Sequence, residues 1–238
     1  METKNFRGCD LSGQNLTGVD FSFADLTGAN LTETILDSSD LSYAKLESAI
    51  LHRASFKAAK FDMTDLHDVE ACCADFSSST FERTDFFGAD IRSSIFDKCL
   101  FYRSYLFGVD AECASFQSAI FDRSYIFYMN LVSSNLSNAS FTRGELTGLY
   151  LENANMEGCT YEEKPMEKQP ISILGLDYPI QILDNDIRFA CKTFPAKWWL
   201  KEATPRDILK LEGRTSLKFF KEHKQWLISM LTSLGRLD

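Results

Sequence analysis

Large apolar side chains recur at every fifth position of this chain. From Phe6 to Tyr161 they occupy 32 successive five-residue steps, and only Ala71 and Ala111 fall short in size. A period of five fits neither an amphipathic helix, whose period is 3.6, nor a strand, whose period is 2. A strict repeat is typical of a solenoid in which every repeat adopts the same local structure. We call these apolar residues the anchors.

The polar positions around the anchors predict one turn per repeat. A small residue, most often Ala, stands two places before the anchor, and Ser, Thr and Gly are frequent in the two places after it. Asp and Asn cap turns through bonds to the nearby backbone. We therefore expect the small residue and the anchor to face inward, and the residue directly before the anchor to cap a turn. These capping residues are Asp10, Asn15, Asp20, Asp25, Asn30, Asp40, Asp65, Asp75, Asp85, Asp90, Asp110, Asn130, Asn135 and Asn155.

Residues 24–31 read Ala-Asp-Leu-Thr-Gly-Ala-Asn-Leu, and this motif resembles the pentapeptide-repeat family. The resemblance covers residues 4 to 163 and implies a mostly β fold, a right-handed quadrilateral parallel β-helix with 20 residues in each coil. Thirty-two pentads at four per coil then make about eight coils. At a strand spacing of about 4.8 Å the rod would be about 38 Å long.

If residues 20 apart stack, the two undersized anchors lie in one interior column, two coils apart. Phe76 follows Ala71 and Phe116 follows Ala111 in the same coils. We expect these two rings to fill the volume that the alanines leave. This packing explanation supports the 20-residue coil.

Charge divides the chain into two parts. The whole chain carries a net charge of −9, with a pI near 4.9. Residues 1–164 hold 25 acidic and 13 basic side chains, whereas residues 165–238 hold 9 acidic and 12 basic. The change coincides with a polar segment bounded by prolines. We predict a β-helix over 1–163, a linker over 164–170 and a C-terminal capping or association module over 171–238.

The C-terminal module lacks the five-residue period and is predicted to be α+β. Strands are expected at 171–176, 180–183 and 187–190, a short helix from Pro195, and a further helix that begins at Thr204 and ends before Gly213. The last helix, at about 215–234, carries an apolar stripe that is a candidate dimer contact. That stripe includes Phe220, Trp226, Leu227, Met230 and Leu231. The module loosely resembles those of some bacterial and phage pentapeptide proteins.

Nothing in the sequence predicts a membrane or a secreted location. The chain contains no apolar run long enough to span a bilayer, and its first ten residues lack the apolar core of a secretory signal. Seven cysteines form no paired Cys-x-x-Cys motif, which favours reduced thiols. Cys9, Cys99 and Cys159 occupy the small inward position. We expect a soluble, cytoplasmic protein.

The residues that usually carry catalysis are scattered. His52 and His67 lie on different predicted faces, and His223 lies in the last helix. The chain shows no Cys–His pair, no HExxH motif and no Gly-rich phosphate loop. Its many carboxylates occupy turn positions. We therefore expect no catalytic residue, no metal, no cofactor and no enzymatic activity.

One exposed face is predicted to carry a cluster of aromatic side chains. We call it the aromatic patch: Phe87, Tyr105, Phe107, Tyr125, Phe127 and Tyr128. Large exposed apolar patches usually mark interfaces. The patch therefore predicts a contact with a protein partner or a homodimer. The alternative is that the C-terminal module or its linker folds over it.

Four arginines spaced by 20 residues are predicted to form a column, the arginine ladder: Arg83, Arg103, Arg123 and Arg143. They could pair with Glu82, Asp85 and Asp122. Alternatively, they could recognise an acidic partner or phosphate groups. A ladder step of about 4.8 Å does not match the phosphate spacing of a nucleic-acid strand, and the rod is acidic. We expect no direct binding of nucleic acid.

Two functions remain from the sequence. The first is a protein-binding scaffold that uses the aromatic patch. The second follows from the resemblance, since the quinolone-resistance group of the family binds DNA gyrase as a DNA mimic. The acidic side chains for such mimicry are Glu70, Asp90, Asp110, Glu112, Asp65 and Asp85. We favour the scaffold, because the ladder interrupts the negative field and the aromatic patch does not resemble a phosphate backbone.

Overall fold

The chain divides into two compact units, Met1–Met166 and Glu167–Asp238. A computed structural model describes residues 4–162, 164–166, 169–173, 180–184, 186–189, 192–195, 197–198, 200, 203 and 224–235. The first unit holds all the predicted pentads and ends three residues beyond the predicted boundary. It also includes Lys164–Pro165, which the sequence places in the linker.

The first unit is a quadrilateral parallel β-helix, which confirms the predicted fold. Every bridge between coils joins residues 20 apart, from Asn5 with Asp25 to Asn135 with Asn155. Each pentad supplies one side of a coil, so four pentads complete one. The 32 pentads therefore form eight stacked coils, and the anchors line their interior.

Each pentad turns because its second residue after the anchor adopts a left-handed backbone, as at Gly28 and Glu33. The N–H of Ala29 then bonds to the carbonyl of Leu26 at 2.9 Å. The carboxylate of Asp25 accepts the N–H of Thr27 at 3.1 Å. All fourteen Asp and Asn residues predicted to cap turns accept this same bond, so the capping prediction is confirmed.

From residue 80 onward, two of the four sides widen into short strands. One sheet stacks β1 (Thr80–Glu82), β2 (Leu100–Tyr102), β4 (Ile120–Asp122), β6 (Ser140–Thr142) and β8 (Thr160–Tyr161) in parallel, and β9 (Lys164–Pro165) adds to β8 in antiparallel fashion. The adjacent sheet stacks β3 (Tyr105–Phe107), β5 (Tyr125–Phe127) and β7 (Glu145–Thr147). The remaining two sides keep single bridges.

The core of the β-helix is a set of stacked anchors. Phe101, for example, lies between Phe81 at 4.8 Å and Phe121 at 4.5 Å, with the rings nearly parallel. Ala71 and Ala111 are fully buried, as are Phe76 and Phe116.

Buried valines accompany the two undersized anchors. Val69 and Val109 are each 1% exposed, and each stands at the small inward position two residues before one of the alanines. A large residue at the small position therefore accompanies a small residue at the anchor position. The valine lies only two residues from the alanine whose missing volume it replaces, whereas the phenylalanine that the sequence suggests for this role lies five residues away.

The second unit contains an antiparallel sheet with the order β10-β11-β12-β13. Its strands are β10 (Ile171–Ile173), β11 (Ile180–Leu183), β12 (Asp186–Phe189) and β13 (Lys192–Pro195). The first three agree with the predicted strands within the described residues. The prediction for Pro195 was wrong: it ends β13 instead of opening a helix, and helical residues follow at 197, 198 and 200. Proline is tolerated there because β13 is an edge strand.

The last helix is described over residues 224–233. Leu227 and Leu231 are buried in the core of this unit together with Ile180, Ile182 and Ile187, and Met230 packs against that core. The prediction that Leu227 and Leu231 form a dimer contact is therefore wrong, because these two residues pack within their own unit. Trp226 is 49% exposed. Phe220 and the predicted helix over 204–213 lie outside the described residues.

Candidate protein-interaction surface

The aromatic patch is built by β3 and β5. Side chains alternate along a strand, so the residues on both sides of a buried anchor face outward. Tyr105 and Phe107 flank the buried Leu106, and Tyr125 and Phe127 flank the buried Ile126. The parallel register places Tyr105 beside Tyr125 and Phe107 beside Phe127.

The rings of the patch contact one another. Tyr105 stacks on Tyr125 at 5.3 Å, and Phe87 stacks on Phe107 at 5.4 Å. Phe107 also meets Tyr128 edge to face at 5.5 Å, and Phe127 at 6.4 Å. Five of the six side chains are 38–50% exposed, and Phe127 is half-buried. All six predicted residues are thus brought together on the surface of the first unit.

The aromatic stack continues to His67, which the sequence reasoning did not include. The imidazole lies 5.0 Å from the ring of Phe87, in a stacked arrangement. Its Nδ1 is 3.3 Å from a carboxylate oxygen of Asp65 and 3.6 Å from one of Asp85. The signal was present in the sequence, because His67 precedes Phe87 by 20 residues.

The arginine ladder is partly paired. Arg143 binds Asp122 through two nitrogens, at 2.6 and 2.9 Å, and Arg83 lies 3.5 Å from Glu82. Glu82 and Asp122 are therefore confirmed as partners. The prediction for Asp85 was wrong, because its carboxylate lies beside His67.

The two middle arginines of the ladder differ from the outer two. Arg103 lies over the ring of Tyr102 at 5.2 Å. Within the described part of the chain, neither Arg103 nor Arg123 has a carboxylate oxygen within 4.0 Å. Their guanidinium groups are therefore without ionic partners there.

The column of the ladder continues toward the N-terminus with apolar residues. Phe23, Tyr43 and Met63 are 44–55% exposed, and the rings of Phe23 and Tyr43 stack at 4.7 Å. These three residues and the four arginines all adopt a left-handed backbone, with φ between 51° and 61°. The sequence reasoning missed this extension, although the three positions precede Arg83 in steps of 20.

Arginine lies beside two of the six acidic side chains proposed for DNA mimicry, and three more lie beside histidines, which carry a charge only when protonated. Arg92 binds Asp90 at 2.6 Å and approaches Asp110 at 3.8 Å. The hydrogen bond from Arg92 is the main cause that holds the pKa of Asp90 below its usual value. Glu70 lies 3.3 Å from His52, and Asp65 and Asp85 flank His67. Of the six, Glu112 alone has no basic side chain within 4.0 Å among the described residues.

No group of three or more His, Cys, Asp or Glu side chains in the described ranges is arranged to hold a metal ion. Among the helical segments that the structure describes, none has the length and apolar character needed to cross a bilayer.

Comparison with known proteins gives one family match. The family model described as pentapeptide repeats (8 copies) matches residues 5–42, 15–53, 49–88 and 127–158. No curated protein sequence is significantly similar to the chain.

Three solved structures are similar to the chain at low identity. HetL, a pentapeptide repeat protein involved in heterocyst differentiation regulation in the cyanobacterium Nostoc sp. strain PCC 7120, is 19% identical over 68% of this chain and 93% of its own, with a TM-score of 0.36. QnrB1, a plasmid-mediated fluoroquinolone resistance protein, is 18% identical over 63% and 83%, with a TM-score of 0.37. Rfr23 from the cyanobacterium Cyanothece 51142 is 21% identical over 67% and 88%, with a TM-score of 0.24.

Proposed function

The repeat unit of this chain belongs to the pentapeptide-repeat family, and on that premise we propose that the protein is a non-enzymatic scaffold that binds a protein partner through the aromatic patch. The observation that supports this most is the patch itself. Six aromatic side chains meet on one face of a rigid coil, and five of them are at least 38% exposed. The turns of the coil do not require any of these outward rings.

Contacts among the rings of the patch order these side chains before a partner binds. Tyr and Phe bury a large apolar area, and aromatic residues are enriched at the centres of protein interfaces. The stacks Tyr105–Tyr125 and Phe87–Phe107 already restrict the side chains before a partner arrives. Less rotamer entropy is therefore lost on association.

The carboxylates of the coil support a role without catalysis. Asp10, Asp25 and Asp75 each accept a backbone N–H in a turn. Such a bond stabilises the ionised form and favours a structural carboxylate over a general acid or base. These carboxylates therefore stabilise the turns and are not expected to act as catalytic groups.

The alternative function is DNA mimicry, with DNA gyrase or another DNA-binding enzyme as the partner. It would use the face that contains Asp90, Asp110 and Glu112. Because Arg92 lies among these carboxylates, that face offers less uncompensated charge than a row of phosphates. We therefore place mimicry second.

A capture experiment separates the two functions. The tagged protein is incubated with bacterial lysate, and captured proteins are identified by mass spectrometry at low and at high salt. We expect Phe107→Ser combined with Phe127→Ser to lose the partner. Phe23→Ser combined with Tyr43→Ser is the matched control, because it removes a stacked exposed pair elsewhere on the coil and should retain the partner.

Charge reversal tests the alternative. Asp90→Lys, Asp110→Lys and Glu112→Lys together should leave a patch-dependent partner bound. If this variant loses the partner, and the partner is gyrase or another DNA enzyme released by high salt, mimicry is favoured and the patch proposal fails.

A second copy of the chain is another predicted occupant of the patch. Sedimentation of the purified protein shows whether a second copy binds there. A homodimer that dissociates in the Phe107→Ser, Phe127→Ser variant would replace the external partner with self-association.

A further inference from the structure

We propose that the aromatic patch and the arginine ladder form one continuous surface whose partner is an amphipathic α-helix with acidic residues along one border of its apolar stripe. This inference rests on the proposed function and deepens it, because it names the chemistry of the partner. The patch would take the apolar stripe and the ladder would take the acidic border.

The two features meet at the corners of the coil. Ser104 separates Arg103 from Tyr105, and its buried hydroxyl donates to the carbonyl of Phe81 at 2.7 Å. Ser124 separates Arg123 from Tyr125 in the same way, with its hydroxyl 3.1 Å from the carbonyl of Phe101. Because each serine turns inward, each corner presents an arginine and, two residues on, an outward tyrosine. Two successive coils repeat this arrangement.

The charge at these corners is available. The guanidinium of Arg103 lies over the ring of Tyr102, and among the described residues neither Arg103 nor Arg123 has a carboxylate within 4.0 Å. A guanidinium presents a planar set of donors that matches a carboxylate. Two acidic groups of a partner could therefore form ion pairs with Arg103 and Arg123.

The turns do not require arginine at these corners. Arg103 and Arg123 both have φ of 55°, a left-handed conformation that glycine adopts without strain. Glycine occupies the next corner after Arg103, at Gly108, whereas Tyr128 occupies the next corner after Arg123. Many other residue types adopt the same left-handed conformation at other corners, for example Glu33 and Ser38, so the turn itself does not select arginine.

The spacing of the surface favours a helix over a strand. Successive coils are about 4.8 Å apart, and successive turns of an α-helix are about 5.4 Å apart. Over two steps the mismatch is about 1.2 Å, which an arginine side chain can absorb. Same-side residues of an extended strand repeat at about 6.8 Å, so the mismatch would be about 4 Å over the same distance.

The charge of the rest of the coil makes the site selective. Residues 1–164 contain 25 acidic and 13 basic side chains, so most of this surface repels an acidic helix. Arg103 and Arg123 supply attraction directly beside the aromatic patch. Repulsion elsewhere and attraction at one site together define a single binding position.

A pair of designed peptides tests the inference on the full-length protein. Each is a helical peptide of about 18 residues with leucines on one face. One peptide carries glutamate along a border of that face, and its twin carries lysine there. Binding is followed by fluorescence anisotropy of a labelled peptide. We expect the glutamate peptide to bind about tenfold more tightly than the lysine peptide.

Two variants and one control complete the test. Arg103→Glu combined with Arg123→Glu should remove or reverse the preference for the glutamate peptide, and Phe107→Ser with Phe127→Ser should abolish binding of both. Glutamate is tolerated at such a corner, since Glu33 already occupies one with φ of 58°. Arg53→Glu is the control: Arg53 has φ of 57° at a different corner, so the preference should remain.

The outcomes separate this inference from the proposed function. If neither peptide binds, if both bind equally, or if the preference survives reversal of Arg103 and Arg123, the inference is overturned. In each case the proposed function still stands if the lysate partner depends on Phe107 and Phe127. If the lysate partner is indifferent to those rings, the proposed function fails, whatever the peptides do.

Discussion

The coils before residue 80 and those after it share a register and a core, but they differ on two of their four sides. In the first group the position before the anchor often holds a capping residue, such as Asp25, Asp40 or Asp65. In the second group the equivalent positions hold Leu100, Tyr105, Ile120 and Tyr125, and three-residue strands replace single bridges. Most of the aromatic patch lies where the caps are absent, although Phe87 still follows the cap Asp85.

This difference shows how a repeat can gain a binding surface without losing its fold. Bridges between coils pair residues 20 apart in both groups, and the anchors from Phe21 to Leu151 remain buried in both. The position before the anchor faces outward, so an apolar residue there costs one turn cap and leaves the core unchanged. The comparison predicts that the interior is equivalent along the rod, whereas the outward positions are not.

The largest effect should come from the shared interior. Phe101→Ala removes a fully buried ring between Phe81 and Phe121, and it should lower the free energy of unfolding by about 3–5 kcal/mol. Phe61→Ala, in the earlier coils, should cost a similar amount. Urea unfolding followed by circular dichroism measures both. A much smaller loss at one of them would show that the interior is not equivalent along the rod.

Acid should act mainly on the earlier coils. Hydrogen bonds from the hydroxyl and N–H of Ser22 lower the pKa of Asp20 to about 2, and similar bonds from Ser12 and Thr27 lower the pKa values of Asp10 and Asp25. Because these folded-state pKa values lie below the usual 3.8, their stabilisation is present above about pH 4 and is lost as the pH falls toward 2.

A capping variant without a titratable group checks this acid dependence. Asp10→Asn, Asp20→Asn and Asp25→Asn together keep the acceptor oxygens and remove the titration. The pH at which circular dichroism is lost should move downward. An unchanged midpoint would mean that these caps do not control the acid response.

A smaller effect should distinguish the outward positions of the two groups. Asp40→Ala, on the side of the coil that later carries Ile120, removes the acceptor of the Ser42 N–H and should cost about 1 kcal/mol. Ile120→Ala, at an equivalent position in the later coils, removes a side chain that is 46% exposed and caps nothing. We expect it to cost less than about 0.5 kcal/mol. Equal losses in urea unfolding would contradict the proposed division between the groups.

The last prediction needs no substitution and concerns how well the coils protect their buried thiols from a reagent in solution. Burial raises the pKa of the Cys99 thiol to about 12 and that of Cys159 to about 11. At pH 8 a thiol reagent should therefore modify the exposed Cys73 and Cys113 and spare Cys99 and Cys159. Peptide mapping by mass spectrometry locates the label. Rapid modification of Cys99 in the native protein would show that the later coils open.

The aromatic patch was predictable because its residues repeat with the period of the coil. His67, Phe23, Tyr43 and Met63 obey the same rule but escape a search for runs of one residue type. Partner choice was less predictable: Asp85 lies beside His67 rather than Arg83, because side-chain direction at a corner decides between neighbours at similar distances. The strand β13 was missed because four residues ending in proline carry no clear period.

The sequence by itself determined the coil, the caps and the core, since these depend on contacts within a pentad or on its exact repetition. Bonds within a turn span two or three residues, so composition at each position is enough to predict them. The tertiary structure decided which charges are compensated and which outward rings touch. It also placed Leu227 and Leu231 inside their own unit. These outcomes depend on neighbours that are distant in the chain, and the choice among those neighbours is made by packing.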